Sequence, residues 1–153
     1  SYGLVDVIKE YAALDRPLMG ICLGMQLLFE ESEEFGKTEG LGLILGKVVK
    51  LPTKDNQNEK LPHVSWNELN SNKAPWENTI LAETEEGSDM YFVHSFVVQP
   101  RDSYNILSLT EYSNYHFCSS VKKGNIYGCQ FHPEKSGQTG LKIIKNFIRM
   151  CQT

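Results

Sequence analysis

An α/β fold, a mixed sheet covered by helices, is predicted by three features of this 153-residue chain. A short apolar run, Leu18 to Ile21, stops at a glycine-flanked cysteine and passes at once into a helical pattern. Apolar residues recur at helical spacing near both ends: Leu4, Val7, Ile8, Tyr11 and Leu14, then Leu141, Ile144, Phe147 and Ile148. Closely spaced β-branched and aromatic runs, separated by Asn, Gly and Lys-Lys-Gly turns, fill the second half and imply an antiparallel section of the sheet.

Taken in order, Leu4 to Leu14 predicts an amphipathic helix that Asp15-Arg16-Pro17 ends, because proline lacks a donor and holds its predecessor out of helical space. Leu18 to Ile21 predicts a buried strand, and a helix is predicted from about Gly24 to Glu30. The acidic run Glu30 to Glu34 reads as a solvated face. Gly36-Lys37-Thr38 is not a phosphate loop, since Glu31 stands where the first glycine belongs. Gly40 to Gly46 is not a dinucleotide loop, since its third glycine is displaced and no strand precedes it. Gly46 to Leu51 opens the strand-rich half, and Thr53 to Lys60 predicts an exposed loop. Val64 to Asn67 is a short apolar-polar segment, and Glu68 to Asn78 is loop-like. Tyr91 to Val98 predicts one strong strand; Ile106 to Leu109, His116 to Val121 and Asn125 to Phe131 predict three more. Leu141 to Ile148 predicts a closing amphipathic helix. There is no internal repeat, low-complexity tract or linker, so residues 1–153 read as a single domain with room for a real core.

Fifteen Lys+Arg against 19 Asp+Glu give a net charge of −4 with no basic run. That argues against nucleic acid or a membrane surface as the main partner. No apolar stretch approaches the roughly 18 residues of a membrane-spanning helix, and no signal-peptide pattern is read. Cys22, Cys118, Cys129 and Cys151 show no paired spacing and lie in apolar settings, which predicts reduced thiols in a cytoplasmic protein. The histidines lack metal-ligand spacing, so no metal site is expected.

The chemistry is expected at Gly20-Ile21-Cys22-Leu23-Gly24. A strand, a sharp turn carrying a nucleophile and a helix form the cysteine version of the G-x-S-x-G elbow. The flanking glycines are expected to leave room for neighbouring backbone, and the helix start to lower the thiol pKa. A lone G-x-C-x-G turn is more often structural. What raises Cys22 above that is Gln130-Phe131-His132-Pro133-Glu134-Lys135-Ser136, after the strand-like run Asn125 to Cys129. His132 and Glu134 are two apart and face one side of an extended backbone, which Pro133 is expected to hold extended. Cys22 as nucleophile, His132 as base and Glu134 orienting the imidazole make a coherent set. Alone, His132 would be an ordinary satisfied histidine and Glu134 a solvated charge.

These two segments resemble the signatures of the triad, or class I, glutamine amidotransferases, and within them the glutaminase subunits that serve imidazole glycerol phosphate synthase in histidine biosynthesis. Glu30-Glu31-Ser32, Gly40 to Ile44, Pro62-His63-Val64-Ser65-Trp66-Asn67, Tyr91 to Phe96 and the Gly140 to Phe147 helix add to the resemblance, which runs from about Leu18 to Phe147. It implies a flavodoxin-like fold with helices on both faces, glutamine as substrate, no cofactor, and a (β/α)₈ synthase or cyclase partner that receives ammonia. It implies the Leu23 N–H as an oxyanion donor. Gly24, Gln26, Glu34, Ser95 and Phe96 become substrate-binding residues, the last two through backbone. Trp66, Asn67, Tyr91 and Lys135 become partner-facing. On residue type alone Trp66 divides evenly between core and partner anchor, and His94 reads at least as well as a hydrogen-bonded core histidine as a catalytic one.

Two positions depart from the family pattern: Ser65 stands where glycine is usual and Phe96 where tyrosine is usual. A paralogue that feeds another synthase, such as one amidating a nucleotide sugar, therefore stays open. So does a stand-alone cysteine hydrolase of this fold; a catalytically dead subunit is opposed by Cys22, His132 and Glu134. Family members carry a longer stretch before the nucleophile, with a Pro-Gly-Val-Gly-type loop that completes the oxyanion hole. Gly3 is the only glycine ahead of Gly20. The expectation is an N-terminally truncated member that lacks early strands, self-associates through an exposed sheet edge, and hydrolyses glutamine weakly or not at all.

Overall fold

The computed structural model of the chain describes residues 3–53 and 61–153. Apart from Thr53, the loop expected over Thr53 to Lys60 lies outside the described residues. The chain opens with α1 (Leu4–Ala13) and β1 (Leu18–Ile21), as the sequence predicts. The Tyr11 hydroxyl donates to the Pro17 carbonyl at 3.0 Å, so the helix is tied back to the start of the strand.

Next come α2 (Leu23–Leu27) and β2 (Phe29–Ser32). The helix expected to reach Glu30 is thus cut short, because Phe29 is fully buried and pairs in parallel with Ile44. A short apolar run carries both helical and strand readings, and here sheet pairing wins. The chain continues with β3 (Thr38–Glu39), β4 (Ile44–Lys50), β5 (His63–Glu68), β6 (Asn70–Ser71), β7 (Asp89–His94) and β8 (Phe96–Pro100). It ends with β9 (Ile106–Tyr112), β10 (Tyr115–Lys123), β11 (Ile126–Cys129) and α3 (Gly137–Cys151). Asn70 and Ser71, expected in a loop, pair with β9 instead.

The main sheet runs β1-β11-β10-β8-β4-β2-β3, with β9 on β10 and β6 on β9. It is mixed: β1 with β11 and β2 with β4 are parallel, and the other pairs are antiparallel. A second sheet holds only β5 and β7. The single strand expected over Tyr91 to Val98 therefore divides at Ser95. One half joins β5, the other enters the main sheet, and Ser95 gives its carbonyl to the Leu51 N–H at 2.9 Å.

Alternation along β4 and β8 sorts the core onto two faces. Val49 and Val97 join Phe92, Phe117, Phe131 and Ile143, the last from α3. Val48 and Val98 join Phe29, Ile44, Val121 and Met25, the last from α2. Helices therefore cover both faces. The apolar side of α1 is different: none of its residues is buried, and Leu4 and Val7 are 64% and 60% exposed. β1 is the last strand on its side of the sheet, with β11 as its neighbour. No helix among the described residues is long and apolar enough to cross a membrane.

Candidate active site

β1 and β11 lie side by side in parallel, Ile21 opposite Cys129, so both end at the same edge. Cys22 follows one and the His132 segment follows the other. The Cys22 N–H donates to the Cys129 carbonyl at 2.6 Å, which seals the two ends together. Cys22 then turns with φ 54° and ψ −109° into α2. Such a conformation costs a non-glycine residue on the order of 1–3 kcal/mol and is kept where the surroundings enforce it. Gly20 makes it possible: a Cβ there would lie 2.4 Å from the Gly24 carbonyl oxygen. Gly24 itself is not required for that reason, since a Cβ there would meet nothing within 4 Å. The expectation that both glycines make room for backbone holds for the first and fails for the second.

The base segment is clamped from β7. The Tyr91 carbonyl accepts from the His132 N–H at 3.0 Å, and the Tyr91 N–H donates to the Ser136 hydroxyl oxygen at 3.0 Å. The Ser136 hydroxyl in turn donates to the His132 carbonyl at 2.6 Å. Pro133-Glu134-Lys135 forms a turn of 3₁₀ helix, with proline at its first position, rather than the extended stretch expected from Pro133. The expected contact forms all the same: His132 Nδ1 lies 2.7 Å from Glu134 Oε1. The carboxylate fixes the proton on Nδ1 and leaves Nε2 as the working nitrogen.

The thiol does not have the lowered pKa expected of it. Burial pushes it above the ordinary value and the Glu134 charge adds to that, while hydrogen bonds from the Leu23 N–H and the Gln130 amide offset only part. The thiol donates to the Val93 carbonyl at 3.8 Å, and Gln130 Nε2 donates to the sulfur at 3.7 Å. Burial thus disfavours the thiolate at Cys22 and favours the protonated thiol. Among the other cysteines, Cys118 and Cys129 are buried and raised further by desolvation, and Cys151 is exposed.

The residues expected to hold substrate divide into two groups. Leu23, Gln26 and Glu34 line one cavity of about 180 Å³, with Glu31 and Gly40. The other group is backbone at the break between β7 and β8, where the Phe96 carbonyl accepts from Gln26 Nε2 at 3.2 Å. Of the four residues expected to face a partner, Trp66 is 53% exposed, which removes it from the core. Its ring lies 5.9 Å from that of Tyr91, directly opposite on β7. Lys135 is exposed beside Glu134. β5 alternates, and Asn67 lies half-buried on the side of His63 and Ser65, its amide donating to the Glu111 carbonyl at 3.2 Å while it lines an open surface cavity with Trp66. Gln130 and His63 were missed as site residues. Both are fully buried polar side chains in apolar surroundings, and that is the signal that marks them.

A strand-to-helix elbow bearing cysteine, with a histidine–carboxylate pair on the adjoining strand end, defines a class of cysteine amidohydrolases. The chain belongs to the class-I glutamine amidotransferase family, whose profile matches residues 2–151. Among its relatives, the imidazole glycerol phosphate synthase subunit HisH 1 of Legionella pneumophila (strain Lens) is 45% identical, over 98% of this chain and 72% of that protein. The corresponding subunit HisH of Geobacillus sp. (strain WCH70) is 48% identical, over 98% of this chain and 70% of that protein. Solved structures share the fold at lower identity. PurLQS from Thermotoga maritima superposes with a TM-score of 0.67 at 20% identity, over 95% of this chain and 67% of that one. A glutamine amidotransferase from the same organism gives 0.57 at 18%, over 97% and 54%.

Proposed function

We propose that the chain is the glutaminase subunit of an imidazole glycerol phosphate synthase: it releases ammonia from glutamine for a (β/α)₈ cyclase partner. The observation that carries the catalytic half is the 2.7 Å His132–Glu134 contact beside the strand end that bears Cys22. The Cys22 thiol gives its proton to His132 Nε2 as the sulfur bonds to the side-chain amide carbon of glutamine. The amide oxygen becomes an oxyanion that the Leu23 N–H meets, an interaction worth on the order of 3 kcal/mol. The C–N bond then breaks, His132 returns its proton to the departing nitrogen, and ammonia leaves a γ-glutamyl thioester on Cys22. Water, deprotonated by His132, cleaves the thioester to glutamate and restores the thiol. Glu134 holds the imidazole and balances its charge when protonated.

Glu34 offers its carboxylate to the α-ammonium of the substrate; among the described residues no cation is paired with it. Gln26 lines the same cavity, and with Nε2 given to protein it faces a ligand through its oxygen. The exposed Trp66 ring and the half-buried Tyr91 ring, with Lys135, form the partner face, a surface for which a free-standing hydrolase has no use. The apolar side of α1 borders a cavity of about 630 Å³ with Leu27 and Leu41 and supports self-association of the isolated chain. The deciding experiment mixes the chain with a cyclase subunit of histidine biosynthesis and measures glutamine hydrolysis. Stimulation that vanishes in Cys22→Ala supports the assignment; turnover unaltered in that variant removes it.

A further inference from the structure

We propose that the buried pair His63–His94 is a positioning device for the nucleophile, the middle of a hydrogen-bonded chain that runs from Ser65 on β5 to the sulfur of Cys22. Each link is present. His63 Nε2 lies 3.3 Å from the Ser65 hydroxyl, which can donate to it, and 2.7 Å from Asn67 Oδ1, which cannot. His63 Nδ1 and His94 Nε2 are 2.8 Å apart. His94 Nδ1 donates to the Phe96 carbonyl at 3.0 Å. The same carbonyl accepts from Gln26 Nε2 at 3.2 Å, whose second hydrogen goes to Gln130 Oε1, also at 3.2 Å. Gln130 Nε2 reaches Cys22 Sγ at 3.7 Å.

The direction of every hydrogen bond in this chain is fixed from one end. A carbonyl only accepts, so His94 carries its proton on Nδ1 and offers a lone pair at Nε2. His63 must then donate through Nδ1. Phe96, holding two donors, orients the Gln26 amide with its NH₂ inward. That NH₂ claims the oxygen of Gln130, and the end of Gln130 left for the sulfur is therefore its donor. A donor favours the thiolate; the oxygen of the same amide, turned around, would oppose it. His94 is desolvated to a pKa of about 4 and stays neutral, and His63 is lowered for the same reason, so no charge disturbs the order at neutral pH. Stacking of His63 on Tyr112, ring centroids 4.0 Å apart, holds the first imidazole in plane. Burying two imidazoles is costly unless every polar atom is used, and here they are used to aim Gln130.

The test follows alkylation of Cys22 in the folded chain by peptide mass spectrometry, which separates it from the exposed Cys151. Two reagents are compared: iodoacetamide across pH, and a glutamine-shaped chloroketone at fixed pH. His94→Leu should move the iodoacetamide profile of Cys22 to higher pH by about half a unit and slow chloroketone labelling about tenfold, the worth of one lost hydrogen bond. His94→Gln, which can still donate to the Phe96 carbonyl, should recover at least half of each effect. Ser65→Ala should act in the same direction and more weakly. An unchanged profile in a His94→Leu protein with native near-UV dichroism overturns the proposal. If that variant does not fold, Ser65→Ala decides it, and an unchanged profile there overturns it. The chloroketone arm rests on the glutaminase reading and the iodoacetamide arm does not. Parent protein with no preference for the chloroketone counts against that reading, while the pH profile still judges the positioning chain.

Discussion

His132 stands half-buried at a strand end with a carboxylate against Nδ1, whereas His94 is sealed in the core with another imidazole against Nε2. The first partner can balance a positive charge and the second cannot. His132 is therefore placed to take a proton and give it back, and His94 is placed to keep the single proton it has. The difference lies in what surrounds the rings, since the side chains are chemically identical. His94 is the last residue of β7 and its ring lies against Phe92, whereas His132 follows β11 and donates its N–H to the Tyr91 carbonyl. Position relative to solvent and to a carboxylate is what separates the two roles proposed above.

Substitutions can break or sharpen this contrast. Cys22→Ala should abolish glutamine hydrolysis with the fold intact, because no other thiol lies on a strained turn beside a base; measurable turnover with a saturating partner would contradict it. In the same assay His132→Ala should cost about 10²–10⁴-fold, the usual value of a positioned base. His94→Leu should cost about tenfold. Equal losses at the two histidines would erase the distinction.

Glu134→Gln should cost less than Cys22→Ala by roughly 10–100-fold, since the imidazole keeps a hydrogen-bond partner and loses only charge support. A variant as dead as Cys22→Ala would give Glu134 a larger part than orientation.

Acid should separate the pairs in stability. His94 has a pKa of about 4 when folded against 6.5 when not, so the unfolded state binds the extra proton between those values. Its contribution is complete above pH 6.5 and is lost as pH falls toward 4, about 3 kcal/mol in all. Urea titrations at pH 7.5 and pH 4.5 on the parent and His94→Leu should show a shallower acid loss in the variant; matching slopes would place the acid sensitivity elsewhere. The smallest effect belongs to the outer face. Trp66→Ala should weaken partner binding by ~2 kcal/mol and leave unfolding midpoints within about 0.5 kcal/mol, and an unaltered binding isotherm would take Trp66 out of the interface.

The residues proposed to react stand in local patterns that folding preserves. Leu18 to Ile21 forms the buried strand it predicts, and the elbow at Cys22 is written in five consecutive residues. The His132–Glu134 contact survived a wrong local reading: Pro133 opens a 3₁₀ turn, yet two residues of spacing bring the groups together either way. What was not legible depends on distant partners. Phe29 leaves the helical pattern because Ile44, fifteen residues on, offers a parallel ladder. Ser95 splits a continuous apolar run because the two halves find different sheets. The thiol pKa followed the helix start in one dimension and burial in three. Gln130 and His63 carry no signature of their own, and their roles exist only where four strands meet. The apolar stripe of α1 shows the same limit from the other side: spacing foretells the stripe and is silent on what covers it.

The alternation of β5 has a further consequence. Val64, Trp66 and Glu68 look outward while His63, Ser65 and Asn67 look inward, so one six-residue ribbon carries two independent texts. On the reading proposed above, the outward residues stand apart from the hydrogen bonds that His63 and Ser65 make behind them. A lineage that changes its synthase, or a laboratory that wants ammonia delivered to a new acceptor, has three positions on this ribbon to vary while the amide that faces the sulfur stays as it is.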